Sequence, residues 1–126
     1  MEKFASKYRV MLERREFCMD TLANILVGVL QFLDNYSSGT LERLSRMPRG
    51  KRRMVARRRI DLYPGRPDLS DMARRVNAHW YVGTNYSRSD VQDILVYAGV
   101  AAGLTSGPIM LESRDDVDFP PLSSLL

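Results

Sequence analysis

The sequence predicts an all-α protein: a small bundle of four to five helices with a long N-terminal amphipathic helix and an irregular acidic C-terminal tail. Three observations carry that prediction. Apolar side chains recur in alternating steps of four and three through residues 4–36, a helical period returns at 69–80, and a capping box opens a further helical stretch at Ser87. At 126 residues the chain is one domain's worth, with 1–104 expected as the helical domain and 105–126 as the flexible tail.

Phe4, Tyr8, Met11, Cys18, Leu22, Ile25, Val29, Phe32 and Tyr36 fall on one line, broken only at Arg15. Leu12, Met19, Leu26 and Leu33 follow beside it at a spacing of seven, and together the two lines make a stripe suited to helix packing. A continuous helix over 1–36 would extend roughly 50 Å at ~1.5 Å per residue, longer than a compact monomer of this size is wide. Either the helix breaks near Gly28, giving a shorter helix in a monomeric bundle, or a second copy of the chain covers it; the second is expected, a homodimer with Leu22, Ile25, Val29 and Phe32 at the interface. The apolar run LANILVGVLQFL at 22–33 is shorter than the ~20 residues a bilayer requires. It reads as the most buried part of that helix, and no transmembrane segment is expected.

NYSSGT at 35–40 is a loop by composition. TLERLSRM then starts a short helix, with Thr40 as its cap and Leu41, Leu44 and Met47 on one side. Pro48 and Gly50 interrupt the chain, after which Lys51 to Leu62 are helix formers apart from Val55 and Ile60. A second helix is expected there, completing a basic segment over 41–62. YPGRPD at 63–68 makes a turn, since two prolines and a glycine leave no helix interior intact. Leu69, Met72, Val76 and Trp80 restore helical spacing over 68–80. The last helix is capped by Ser87 and Asp90, buries Val91, Ile94, Leu95, Ala98 and Ala101, and stops at Gly103. Beyond Pro108 the chain turns acidic and proline-rich, in ESRDDVDFPPLSSLL.

The residues that would carry chemistry are scarce. One histidine, His79, and one cysteine, Cys18, furnish neither a structural zinc site nor an intrachain disulfide. The glycines compose neither a dinucleotide fingerprint nor a P-loop. No catalytic residue, metal ligand or cofactor is assigned, and a non-enzymatic protein is expected. Cys18 among apolar neighbours reads as a small buried hydrophobe, and His79 as a partly buried helix residue. The charged start MEKFASKYRV lacks a signal-peptide core, and the lone cysteine suits a reducing compartment. An intracellular protein, cytoplasmic or nuclear, is expected.

The net charge of +4 conceals a segregated field. Residues 37–66 carry ten positive and two negative side chains, 1–36 balance to zero, and the remainder is net negative. From Arg43 through Arg59 there are nine positive residues and no acidic one, and eight of the nine are arginine. Guanidinium forks bridge phosphate oxygens and stack on bases, where lysine acts as a point charge. The pattern points to nucleic acid, RNA ahead of DNA. Arg49, Lys51, Arg52, Arg53, Arg57, Arg58 and Arg59 are expected to bind phosphates, with Arg43, Arg46, Arg74 and Arg75 as extensions. Binding would follow the backbone with little sequence specificity, because no base-reading motif is present.

Carried on a helix over 51–62, the charge would wrap most of the circumference and suit a groove with phosphates on both sides. The alternative is a helical protein-interaction module, an adaptor or inhibitor in which KRRMVARRR at 51–59 serves as a nuclear localisation signal. Its contacts would come from Tyr63, Trp80, Tyr81, Tyr86 and Tyr97, or from a protein partner taking the acidic tail 112–126. In order and size alone, an oligomerising helix, an arginine segment and a leucine-bearing tail resemble compact viral RNA-binding regulators.

Overall fold

A computed structural model describes residues 6–50 and 52–113, and it replaces the all-α bundle with a mixed α/β fold. Three α-helices pack with two antiparallel three-stranded sheets. Lys51, residues 1–5 and residues 114–126, with most of the acidic tail, lie outside the described residues.

The first correction falls on the long helix. Its N-terminal half is instead a hairpin of β1 (Tyr8–Leu12) and β2 (Arg15–Met19), turning at Glu13 and Arg14, both with positive φ. Two left-handed residues between paired strands match strand twist, but glycine and asparagine are the residues that advertise such a turn. Tyr8, Val10 and Leu12 alternate inward while Arg9 and Met11 face out, a period of two hidden inside the four-three spacing. On the far side of β1 lies β6 (Leu111–Ser113), with Val10 opposite Leu111. Arg9 ties the outer face together by donating to Glu112 at 2.6 Å.

α1 (Leu22–Tyr36) begins where Thr21 accepts a hydrogen bond from the backbone N–H of Asn24 at 3.1 Å. Its 15 residues span about 22 Å, so the length that called for a second copy is not there. Ile25 and Val29, expected at the centre of a dimer interface, are fully enclosed by this chain's own elements. Leu22 and Phe32 are half-buried, and Phe32 meets Phe17 of β2 edge-on at 5.8 Å. Cys18, expected to be buried, is half-buried on β2.

α2 (Thr40–Ser45) forms as the sequence predicts, although Gly39 rather than Thr40 precedes its first turn. The basic helix over 51–62 does not form. Val55–Ala56 is a short buried strand, β3, followed by a 3-10 turn at Arg59–Asp61. The helix expected over 68–80 is likewise replaced, by a 3-10 turn at Pro67–Leu69 and the strand β4 (Ala73–Arg75). β5 (Tyr81–Gly83) lies between β3 and β4, with Val55 opposite Val82 and Arg74 opposite the same residue across the sheet. Asn77 explains the turn: its side-chain oxygen accepts from the backbone N–H of His79 at 3.0 Å, folding the chain back so that Val76 N–H reaches Trp80 O at 2.8 Å. His79 is exposed at that turn instead of partly buried on a helix.

α3 (Arg88–Ala101) carries the predicted capping box and buries the predicted face, Val91, Ile94, Leu95, Ala98 and Ala101. It packs on α1 and α2, and its C-terminal end is followed by a return segment in which Ile109 and Leu111 are buried. Residues 109–113 therefore belong to the packed fold, where a tail from 105 was expected. One apolar cluster joins α1, α3, both sheets and this return segment.

Leu30 is fully buried in that cluster. Leu30→Ala should lower unfolding free energy by about 2–5 kcal/mol through lost contact and a residual cavity, measured by urea denaturation. A loss under about 1 kcal/mol would mean that α1 does not centre the core.

Candidate nucleic-acid interface

The arginine segment leaves α2, turns at Pro48 and Gly50, and enters β3 as irregular chain pinned at both ends by tertiary contacts. Arg53 N–H donates to Leu62 O at 3.1 Å, and its carbonyl accepts from the Tyr86 hydroxyl at 3.3 Å. Burial holds the Tyr86 phenol above its ordinary pKa, so it stays protonated and able to donate. Between this segment and Pro64 opens a cleft of about 630 Å³, lined by Arg46, Arg49, Arg52 and Arg53 together with Pro48 and Pro64.

Two kinds of partner hold these side chains. Carboxylates hold the first group. Arg49 donates to Asp90 at 2.7 Å and to Asp93 at 3.1 Å, both in the first two turns of α3. Burial alone would lower the Arg49 pKa, but hydrogen bonds to the two carboxylates outweigh it and raise the pKa. Arg46 and Arg57 share Glu42 at 2.8 and 2.9 Å, and Arg58 pairs with Asp61 at 2.9 Å. These exposed pairs are each worth little to stability, but they fix where the guanidinium groups stand.

Aromatic rings hold the second group, which shares Arg57 with the first. The Arg52 guanidinium sits 4.0 Å from the Tyr86 ring centroid and 4.9 Å from that of Tyr63. Arg57 lies 4.4 Å over Trp80, while Arg59 and Arg75 lie 5.3 and 4.9 Å from the Tyr81 ring. Such contacts are worth about 0.5–2 kcal/mol, rising as the cation is desolvated. Tyr63 can reach its seat only because position 83 is glycine, where an added Cβ would come within 2.7 Å of the Tyr63 hydroxyl oxygen. That hydroxyl in turn donates to Met72 O at 2.7 Å, which fixes the ring.

The two anchors differ in one consequence. A carboxylate positions a guanidinium and neutralises it, whereas a ring face positions it and leaves its charge. Among the described residues no carboxylate lies within ion-pair distance of Arg52, Arg53 or Arg59. Arg52 Nε is buried without an acceptor, and the side chain's one described hydrogen bond is a long contact of 3.4 Å to the Tyr63 hydroxyl. The four carboxylates that reach the segment, Glu42, Asp61, Asp90 and Asp93, face nine positive residues in 43–59.

The predicted binding residues therefore divide by position. Arg46, Arg49, Arg52 and Arg53 surround the cleft, and Arg57, Arg59 and Arg75 lie on the aromatic residues of the second sheet and its turn. Arg58 is exposed beside Asp61. Arg43 and Arg74 are drawn elsewhere: Arg43 donates to Ala101 O at 2.7 Å, closing the C-terminal end of α3, and Arg74 donates to Asn24 of α1 at 2.8 Å. Lys51 lies outside the described residues. The arginines are legible in the sequence, whereas Tyr63, Trp80, Tyr81 and Tyr86, expected as contacts of a protein-interaction module, instead seat the arginines of this chain.

No protein-family model, curated protein or solved structure matches this chain. Among the described residues, no three His, Cys, Asp or Glu side chains gather as metal ligands, and no helix is long and apolar enough to cross a membrane.

Asp90 serves both the cap and the cleft, accepting from Ser87 N–H at 3.1 Å as well as from Arg49. The Arg49 hydrogen bond, followed by the Ser87 N–H, lowers its carboxyl pKa. A depressed folded-state pKa stabilises fully above the unfolded value of about 3.9 and is lost as pH falls through the folded pKa. Asp90→Asn should therefore destabilise by about 1 kcal/mol at neutral pH and flatten the loss of stability below about pH 4, followed by thermal melts across pH. An acid limb unchanged by the substitution would contradict the Arg49–Asp90 linkage.

Proposed function

We propose that the chain is a non-enzymatic nucleic-acid-binding protein, with RNA preferred to DNA, that grips phosphates through residues 46–59. One observation carries this reading: Arg52 is fixed between two tyrosine rings without a carboxylate to neutralise it. A positioned, uncompensated guanidinium costs little further ordering when an anion arrives, and its fork matches phosphate geometry.

The preference for RNA rests on what the helices lack. α1 has no positive residue, α2 has only Arg43 and α3 only Arg88, so none of them is a basic helix for a major groove. Arginines fixed over Trp80 and Tyr81 present guanidinium planes on which unpaired bases stack. Phosphate contacts dominate and no base-reading set is recognisable, so affinity is expected to follow strand length and salt more than sequence.

Fluorescence polarisation with single-stranded RNA, duplex RNA and duplex DNA across a salt series tests the proposal. Single-stranded RNA should bind tightest, with log affinity falling by about 0.7 per decade of salt for each phosphate neutralised. Arg53→Gln and Arg59→Gln, at exposed positions without ion pairs, should each flatten that slope by about one phosphate contact. No binding to any of the three at low salt would overturn it.

A further inference from the structure

We infer that the arginine-walled cleft takes the terminal phosphate monoester of a bound strand, while the aromatic side of the segment holds the diesters that follow. The inference rests on the nucleic-acid reading above and assigns the cleft a chemistry of its own.

The charge at the cleft distinguishes a chain end from a chain interior. Arg46 and Arg49 are held by Glu42, Asp90 and Asp93, so they bring donors into the wall with most of their charge already answered. Arg52 and Arg53 have no carboxylate within ion-pair distance among the described residues. Arg52, and Arg53, which feels Asp61 only through space and forms no ion pair, leave a positive excess that matches a phosphate monoester, which carries about −1.5 to −2 at neutral pH and offers three acceptor oxygens. An internal diester brings a single charge and must leave the site in both directions.

The shape agrees with an end. The cleft is open to solvent, and its volume of about 630 Å³ leaves room for a terminal nucleotide. Pro48 and Pro64 contribute backbone of fixed φ to its lining. Arg57, Arg59 and Arg75 lie outside the cleft lining, which separates the residues that would read the end from those that would hold the strand.

The test compares one single-stranded RNA 12-mer in three forms: 5′-phosphorylated, 3′-phosphorylated, and with both ends hydroxyl. One phosphorylated form should bind at least tenfold tighter than the hydroxyl form, and which one does identifies the end. That preference should grow between pH 5 and pH 7, because the monoester gains its second charge near pH 6 while a diester does not titrate there. Arg52→Gln should abolish the preference and Arg53→Gln, at an exposed position, should reduce it without disturbing the fold. Arg59→Gln should weaken all three forms alike.

Equal affinity for the three forms, with the salt slope intact, would overturn the terminal-phosphate site and leave the nucleic-acid reading standing. Absence of binding to all three would overturn both. A phosphoserine peptide that binds more tightly than any of the oligonucleotides would overturn the inference in favour of a phosphorylated protein.

Discussion

Nine positive side chains between residues 43 and 59 repel one another, and no acid inside the segment answers that repulsion. Glu42 and Asp61 at its two ends pair with Arg46 and Arg58, and the rest of the answer comes from farther along the chain. Asp90 and Asp93 reach Arg49 from α3, Glu42 reaches Arg57 from α2, and the rings of Tyr63, Trp80, Tyr81 and Tyr86 take the remaining planes. The Asp90 and Asp93 contacts require α3 to be docked, and the Trp80 and Tyr81 contacts require the second sheet to be formed. The arginine segment is thus ordered by tertiary structure, and its cationic surface exists only in the folded chain.

This dependence ties the core to the site. α1 provides the apolar centre on which α3 and both sheets pack, and α1 also holds the turn between β4 and β5, since Gln31 donates to Val76 O at 2.8 Å and Asp34 accepts from Asn77 at 3.0 Å. That turn delivers Trp80 and Tyr81 to Arg57 and Arg59. Gly83, at the end of the same strand, leaves room for Tyr63 beneath Arg52. Packing inside the molecule therefore decides which guanidinium groups face solvent with their charge unanswered.

How much of this was readable from the sequence depended on how local the signal was. α1 from Leu22, α2 and α3 with its Ser87–Asp90 cap follow from spacing and capping residues within a few positions. The β1–β2 hairpin was masked because Tyr8, Met11 and Leu12 satisfy a helical period as well as they satisfy a strand, and because Glu13 and Arg14 are not the residues that mark a tight turn. The second sheet was hidden for a different reason: its strands are two or three residues long, and Val55 finds its partner at Val82. Strands that short carry too little periodicity to outweigh the helix propensity of Lys, Arg, Met and Ala. The arginines of the site were legible as composition, whereas their division into carboxylate-held and ring-held groups is a property of the fold alone.

The central claim is that Arg52 is a fixed cation between two rings and not part of a flexible basic stretch. The ¹H–¹⁵N spectrum of the arginine side-chain Nε–Hε groups tests it most directly. Arg52 should give a ring-current-shifted signal that exchanges slowly with solvent, while Arg53, exposed and without a described side-chain hydrogen bond, stays near the random-coil position. An Arg52 signal at the random-coil position with fast exchange would contradict the cleft, the ordered segment and the functional reading built on them.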